Sequence, residues 1–207
     1  MSAAANPLPS FLSANTPTSG AAATAGSCWR GANLSPGRRL RWGLPFAPEP
    51  AVTRPTTLGD APGILALAVA AGLFPVDGTD EVAAVLAGCL RGEQGPDHRW
   101  VTDDDGGPVG VAYYAPERMT EGTWNLLMLT VHPDRQRQGR GAALVRHVER
   151  ELAARGGRLL LIETSGTDGF ERTRAFYRSL GYDEEARVRD YYRAGDDKVI
   201  FRKLLTT

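Results

Sequence analysis

The chain has 207 residues, 42% of them hydrophobic, and its 24 basic and 24 acidic side chains cancel. That length holds one ordinary domain plus an appendage, and from residue 50 onward 20 basic face 23 acidic side chains, which argues against nucleic-acid binding through general basic charge and leaves room only for a local basic site. Cys28 and Cys89 are too few and too far apart for a disulfide framework or a metal site, and no CxxC occurs, so no metal is expected and the reducing cytoplasm fits best. The longest apolar stretch, residues 61 to 74, is shorter than the roughly 20 residues that a membrane span needs and contains Pro and Gly, so no membrane association is expected.

Residues 1–50 are rich in Ala, Ser, Thr, Pro and Gly and show no sustained apolar period, which predicts a disordered or dispensable leader. Arg30, Arg38, Arg39 and Arg41 all precede the first acidic residue, Glu49. That composition also matches an organellar transit peptide, the alternatives being a tail or a reading frame extended upstream of a start near Val52. The expected domain is 51–207.

Within it, AVTRP reads as a short strand. TLGDAPGILALAVAAGLF and GTDEVAAVLAGCLRG have helical apolar spacing, the second opened by Thr79 and Asp80 as candidate caps. HRWVTDDDGGPVGVAYYAP predicts a hairpin with strands at 98–102 and 108–115, its acidic turn Asp103 to Asp105 in solvent. TWNLLMLTV predicts a strand at 123–131. A helix from Gly141 to Arg155 follows, with Leu144, Val145, Val148 and Leu152 as one apolar stripe and Gly156-Gly157 as its stop. RLLLIET, a continuous apolar run, reads as a strand buried on both faces, and ERTRAFYRSLGY as a short helix ended at Gly181. EEARVRDYY and DKVIFRKLL complete the pattern as strands around the turn AGDD. The order β-α-α-β-β-β-α-β-α-β-β is that of a mixed α/β sheet with helices on its faces.

The stretch LTVHPDRQRQGRGAAL, residues 129–144, runs from a strand through a basic turn with two glycines into a helix. Such a turn presents free N–H groups and the positive end of a helix dipole to one point, where an anion belongs. Gly139 and Gly141 admit close backbone approach, and Arg135, Arg137 and Arg140 add positive charge suited to a phosphorylated partner. A P-loop is excluded, since no Lys-Ser/Thr follows the glycines. A dinucleotide fingerprint is a closer rival, with Glu163 near the place of a ribose-binding acid. But Leu144 stands where a third glycine is needed, and the seven residues His132 to Gln138 replace a tight turn.

The remaining scheme is Gln136-Arg137-Gln138-Gly139-Arg140-Gly141 directly after a strand ending in Val-His-Pro-Asp. It resembles the acetyl-CoA pyrophosphate loop of the Gcn5-related N-acetyltransferase (GNAT) superfamily. The order and spacing of TWNLLMLTV, GAALVRHVERELAARG, RLLLIET, TRAFYRSLGY and DKVIFRKLL carry the resemblance over residues 51 to 207. It implies a mixed, mostly antiparallel sheet of about seven strands, helices on both faces and a splay between the fourth and fifth strands. It further implies acetyl-CoA as co-substrate and transfer of its acetyl group to a primary amine by direct attack in a ternary complex. In that scheme the backbone of Leu129, Thr130 and Val131 pairs with the pantetheine arm, and the amides of Gln136, Arg137, Gln138, Gly139, Arg140, Gly141 and Ala142 hold the pyrophosphate.

Amine acetylation needs an unprotonated nitrogen, donors for the oxyanion and an acid for the departing thiolate. Tyr177 matches the family's tyrosine acid; the bland account is an aromatic packed beside Phe176. An amide near Leu129 is the implied oxyanion donor. Glu163, at the end of a buried strand, is the candidate base, directly or through water, against the account that it satisfies nearby amides. His132 reads as a turn residue, and His147 as the ion-pair partner of Glu151 on a helix surface. Glu184-Glu185 reads as a polar strand face. The family's asparagine early in the fourth helix is missing from GFERTRAFY, with Thr173 as the one substitute. The acceptor is a small-molecule or protein amine, and a homodimer is compatible with either. The rival class is a non-catalytic acyl-CoA-binding or interaction module that kept the loop.

Overall fold

The computed structural model describes residues 52–73 and 80–205. The predicted disorder of residues 1–50 and the capping role of Thr79 lie outside them. The elements are β1 Val52–Pro55, α1 Ala61–Ala70, α2 Asp80–Leu90, β2 Arg99–Asp104, β3 Pro108–Pro116, β4 Thr123–Val131, α3 Arg140–Ala154, β5 Leu159–Ser165, α4 Glu171–Ser179, β6 Asp183–Arg193 and β7 Asp196–Leu204. Their order is the one the sequence predicts. Two turns differ: Asp103 and Asp104, read as turn, belong to β2, and the chain reverses at Ala194-Gly195, Gly195 having φ 79°, so that both aspartates of AGDD enter β7. Asp196 and Asp197 do so because each has a partner along the strands. Asp196 is buried and accepts from Ser165 Oγ at 2.5 Å, while Asp197 Oδ1 accepts from the Asp190 amide at 3.0 Å.

The seven strands form one sheet in the order β1-β2-β3-β4-β5-β7-β6. Every neighbouring pair is antiparallel except β4 and β5, which are parallel because α3 carries the chain back between them. Side chains alternate along β2 and β3, so the sheet feeds two cores. On one face Trp100, Val111 and Tyr113 meet Ile64, Leu67 and Leu86 of α1 and α2; on the other Val101, Ala112 and Tyr114 meet α3. The α3 stripe of Leu144, Val145, Val148 and Leu152 is wholly buried, each side chain contributing about 1.5–3 kcal/mol as an upper figure.

The strand β5 is not buried on both faces as its apolar run suggests. Leu160 and Ile162 are buried under α3, whereas Leu159, Leu161 and Glu163 are only half-buried, because α1 and α2 pack chiefly on β2, β3 and β4. An irregularity in β4 matters more for the site. Tyr113 pairs with Met128 and Tyr114 with Leu126, so Leu127 is an extra residue, a bulge. The face therefore switches within the strand. Trp124 and Leu126 join the α3 core, Met128 joins the α1/α2 core, and Leu129 and Val131 return to the α3 side.

Candidate functional site

The bulge lies where β4 and β5 part. Their parallel pairing runs from Thr123–Leu159 to Leu126–Ile162 and stops, although β4 continues to Val131 and β5 to Ser165. The His132 amide donates to the Val109 carbonyl at 2.8 Å, which makes Gly110–Val131 a pair whose own N–H and C=O groups point away from each other. By the alternation of an antiparallel ladder, the backbones of Val131 and Leu129 turn toward β5, into the opening. Gln136 Nε2 donates to the Val131 carbonyl at 3.1 Å, so one of these groups already has a partner.

The turn that follows starts with Pro133–Arg135 as a short 3-10 segment. His132 Nδ1 accepts from the Asp134 amide at 3.3 Å, the turn role expected of it. Then come two left-handed residues, Arg137 at φ 57° and Gly139 at φ 80°, before α3 begins. At Gly139 that conformation is the reason for glycine, since a Cβ there would meet nothing within 4 Å. Gly141 differs: a Cβ there would make an ordinary van der Waals contact with the Phe176 ring at 3.5 Å, so neither φ nor packing inside the protein demands glycine at this place. The first backbone bond inside the helix runs from the Ala143 amide to the Gly139 carbonyl at 2.9 Å. Consequently the amides from Arg137 to Ala142 have no acceptor among the described residues. They stand at the positive end of a fifteen-residue helix, beside the opening between β4 and β5.

The arginines behave differently from expectation. Arg140 is not an open cation. Its Nη1 donates to both oxygens of Asp103, at 3.0 and 3.2 Å, and its Nη2 to Asp105 Oδ2 at 2.5 Å. Asp103 is 4% exposed, so the acidic turn read as solvated is in part interior. Burial works against the Arg140 charge, but the bonds to Asp103 and the field of both carboxylates outweigh it and raise its pKa. Arg135 Nη1 lies 3.8 Å from Asp105, and Arg137 makes no ion pair among the described residues.

Tyr177 is 1% exposed on α4, its ring packed against Phe176, Tyr182 and Phe201. One turn earlier on the same helix, Thr173 is buried and its Oγ1 has no hydrogen-bond partner among the described residues; neither has Thr130 Oγ1 on β4. An unsatisfied buried hydroxyl costs about 1–3 kcal/mol, so Thr173 fits a donor role toward a bound molecule. Glu163, beyond the end of the β4–β5 pairing, accepts from Lys198 Nζ at 3.1 Å. Lys198 in turn lies 3.9 Å from the Tyr191 ring centroid. Burial first, then the charge of Glu163, raises the Tyr192 hydroxyl pKa, so these four side chains share one neighbourhood. Lys198, Tyr191 and Tyr192 escape sequence reading, where they are ordinary strand residues; β6 holds Arg189 to Tyr192 in a bulge opposite Asp197. Glu184 accepts from Arg178 and Arg187 and has a lowered pKa, chiefly through the Arg178 bond. His147 Nε2 lies 3.8 Å from Glu151, as predicted.

Comparison with known proteins gives the arrangement its relatives. A family model described as an acetyltransferase (GNAT) domain matches residues 95–184. A solved structure from Desulfovibrio desulfuricans, described as a member of the GNAT family, superposes with a TM-score of 0.71 at 33% identity, covering 76% of this chain and 100% of its own. An aminoglycoside 6'-N-acetyltransferase complexed with coenzyme A shares the fold at a TM-score of 0.62 and 19% identity, over 75% of this chain and 98% of that one. The [ribosomal protein bS18]-alanine N-acetyltransferase of Escherichia coli K12 is 38% identical over 73 residues, 35% of this chain and 48% of that protein. The chain thus spans about half the length of the curated relatives it matches. Among the described residues, no group of His, Cys, Asp or Glu is arranged to hold a metal, and no helix is long and apolar enough to cross a membrane.

Proposed function

The chain belongs to the GNAT acetyltransferase family, and on that premise we propose that it moves acetyl from acetyl-CoA to a primary amine by direct attack in a ternary complex. One observation carries the reading: the unpartnered amides from Arg137 to Ala142 converge at the α3 N-terminus beside a sheet that opens there. They suit a pyrophosphate, while the backbones of Leu129 and Val131 suit an extended amide-bearing arm. The neighbour bound to coenzyme A has the same fold.

In the proposed reaction the amine nitrogen attacks the thioester carbonyl carbon, the C–S bond breaks, and the oxyanion formed on the way is met by an amide near Leu129. Tyr177 donates its proton to the departing thiolate. With a reference pKa of about 10 for tyrosine against 8.5 for a thiol, the phenol keeps a proton to give. The proton lost by the amine goes to Glu163, directly or through water. Lys198 holds that carboxylate in place and also competes for it. The first acceptor to test is the α-amine of a polypeptide, because the curated relative acts on an alanine of a ribosomal protein.

The test is release of free CoA thiol from acetyl-CoA with peptides beginning in alanine, aminoglycosides and small amines. Thiol release that depends on the amine is expected. Tight CoA binding with no turnover on any amine would instead identify a binding module, and absence of CoA binding would overturn the reading.

A further inference from the structure

The three aspartates at the β2–β3 turn are a two-sided staple. Because side chains alternate, Asp104 points to one face, where its Oδ2 accepts from Arg54 Nε at 2.9 Å and Nη2 at 2.5 Å, and Arg54 also grips Asp60 at 2.7 and 2.8 Å. Asp104 Oδ1 accepts from the Gly107 amide at 2.9 Å and closes the turn. The turn is therefore anchored to β1 and to the start of α1. Asp103 and Asp105 point to the other face, and both bind Arg140, the first residue of α3. Asp105 also lies near Arg135, at the entrance of the loop. Close packing seats the contact: a Cβ on Gly110 would stand 3.1 Å from Leu144 Cδ1 and 3.3 Å from Asp103 Cβ.

Two acids beside an anion site are electrostatically adverse, and they occupy a guanidinium that could have met a phosphate. Their position makes sense if geometry outweighs charge. Between Arg135 and Arg140 the chain holds two left-handed residues, one of them an arginine, a conformation that L side chains adopt only when their surroundings enforce it. We propose that Asp103 and Asp105 are positioning residues for acetyl-CoA: through Arg140 and Arg135 they pin both ends of the Arg137–Gly139 turn, so that the amides already point at the pyrophosphate before it arrives. Ordering is then complete in the free protein, and binding is stronger than a loop free to rearrange would allow. Arg137, the loop arginine outside the staple, is the one that remains to meet phosphate charge. This inference rests on the proposed acetyl-CoA site.

The sign of one substitution separates geometry from charge. Asp103→Asn removes a negative charge and loosens Arg140, so a site governed by charge alone would bind CoA more tightly. A positioned loop predicts the opposite: Kd for CoA and KM for acetyl-CoA rise about tenfold, in line with the cost of misplacing binding groups, while kcat at saturation changes by less than about twofold. The double variant Asp103→Asn with Arg140→Gln is a second reading. If the pair acts as a unit, Asp103→Asn and Arg140→Gln each weaken CoA binding and the double variant binds as weakly as the weaker of them; if the two charges act independently, Asp103→Asn tightens binding, Arg140→Gln weakens it, and the double variant returns toward wild type. Calorimetry with CoA on the full chain measures the two single variants and the double variant, with melting temperatures to confirm folding. Should Asp103→Asn not fold, Asp105→Asn, at a more exposed position, tests the same sign. Equal or tighter CoA binding in a folded aspartate variant overturns the staple. Failure of the wild-type chain to bind CoA overturns the site itself.

Discussion

At Gly139 the backbone is left-handed, φ 80°, with open space where a Cβ would go. Aspartate tolerates that conformation better than most L residues, so Gly139→Asp should fold. It would set a carboxylate among the amides from Arg137 to Ala142 and should weaken CoA binding by about tenfold or more, since 1.4 kcal/mol of repulsion is already a factor of ten. Calorimetry showing unchanged affinity in a variant with the wild-type melting temperature would remove CoA from this turn. Tyr177→Phe keeps the ring in its aromatic cluster and deletes the proposed proton donor. Its kcat should fall by about 10²–10⁴ with little change in CoA affinity, and its stability should move by about 1 kcal/mol, the net worth of one hydrogen bond. A wild-type rate under conditions where chemistry limits turnover would make Tyr177 a packing residue.

The elements show where local signals suffice. The stop of α3 was legible as Gly156-Gly157, and the structure gives each glycine a separate reason. Gly156 has φ 79°, and the Gly157 amide donates to the Leu152 carbonyl at 2.8 Å, closing the helix end. A Cβ at Gly157 would stand 2.9 Å from that same carbonyl oxygen, a backbone atom with little room to move. Gly157→Ala should therefore destabilise the fold by about 1–3 kcal/mol, the usual cost of overpacking. Urea denaturation checks it: a lowered midpoint with an unchanged slope is expected, and an unchanged midpoint would mean that the α3–β5 connection adjusts freely. The bulge at Leu127 was not legible, because TWNLLMLTV is apolar on both sides and its period cannot reveal where the face switches.

For the molecule as a whole, the titrating groups predict how stability follows pH. Asp60 and Asp104 have pKa values lowered first of all by their bonds to Arg54. Their contribution is complete above the unfolded carboxylate value of about 4 and is lost as pH falls through the lowered folded values. His98, its Nδ1 2.7 Å from the Tyr113 hydroxyl, has a pKa lowered chiefly by burial. The unfolded chain then takes up a proton below about 6.5 that the fold resists, so stability declines as pH falls from there. Calorimetric melting between pH 7 and 3 should show a decline that begins below about 6.5 and steepens below about 4. Asp60→Asn should flatten the acid limb. A melting temperature constant from pH 7 to 5 would exclude His98 as a contributor.

Order of elements, the α3 stripe and the glycine-bearing loop before α3 were set by the sequence alone, because each rests on neighbours within a few turns: periodicity, capping, and glycine before a helix start. The family resemblance was likewise readable from QRQGRG and FYRSLGY. The tertiary structure decided what distant partners do to the same residues. Arg140 reads as a phosphate ligand until Asp103, 37 residues earlier, is folded against it. Glu163 reads as a strand-end acid until Lys198, 35 residues later, is brought to 3.1 Å. The opening between β4 and β5 begins where their parallel pairing ends, at Leu126 and Ile162. Charge pairing and strand divergence depend on through-space distances, which local sequence patterns do not encode.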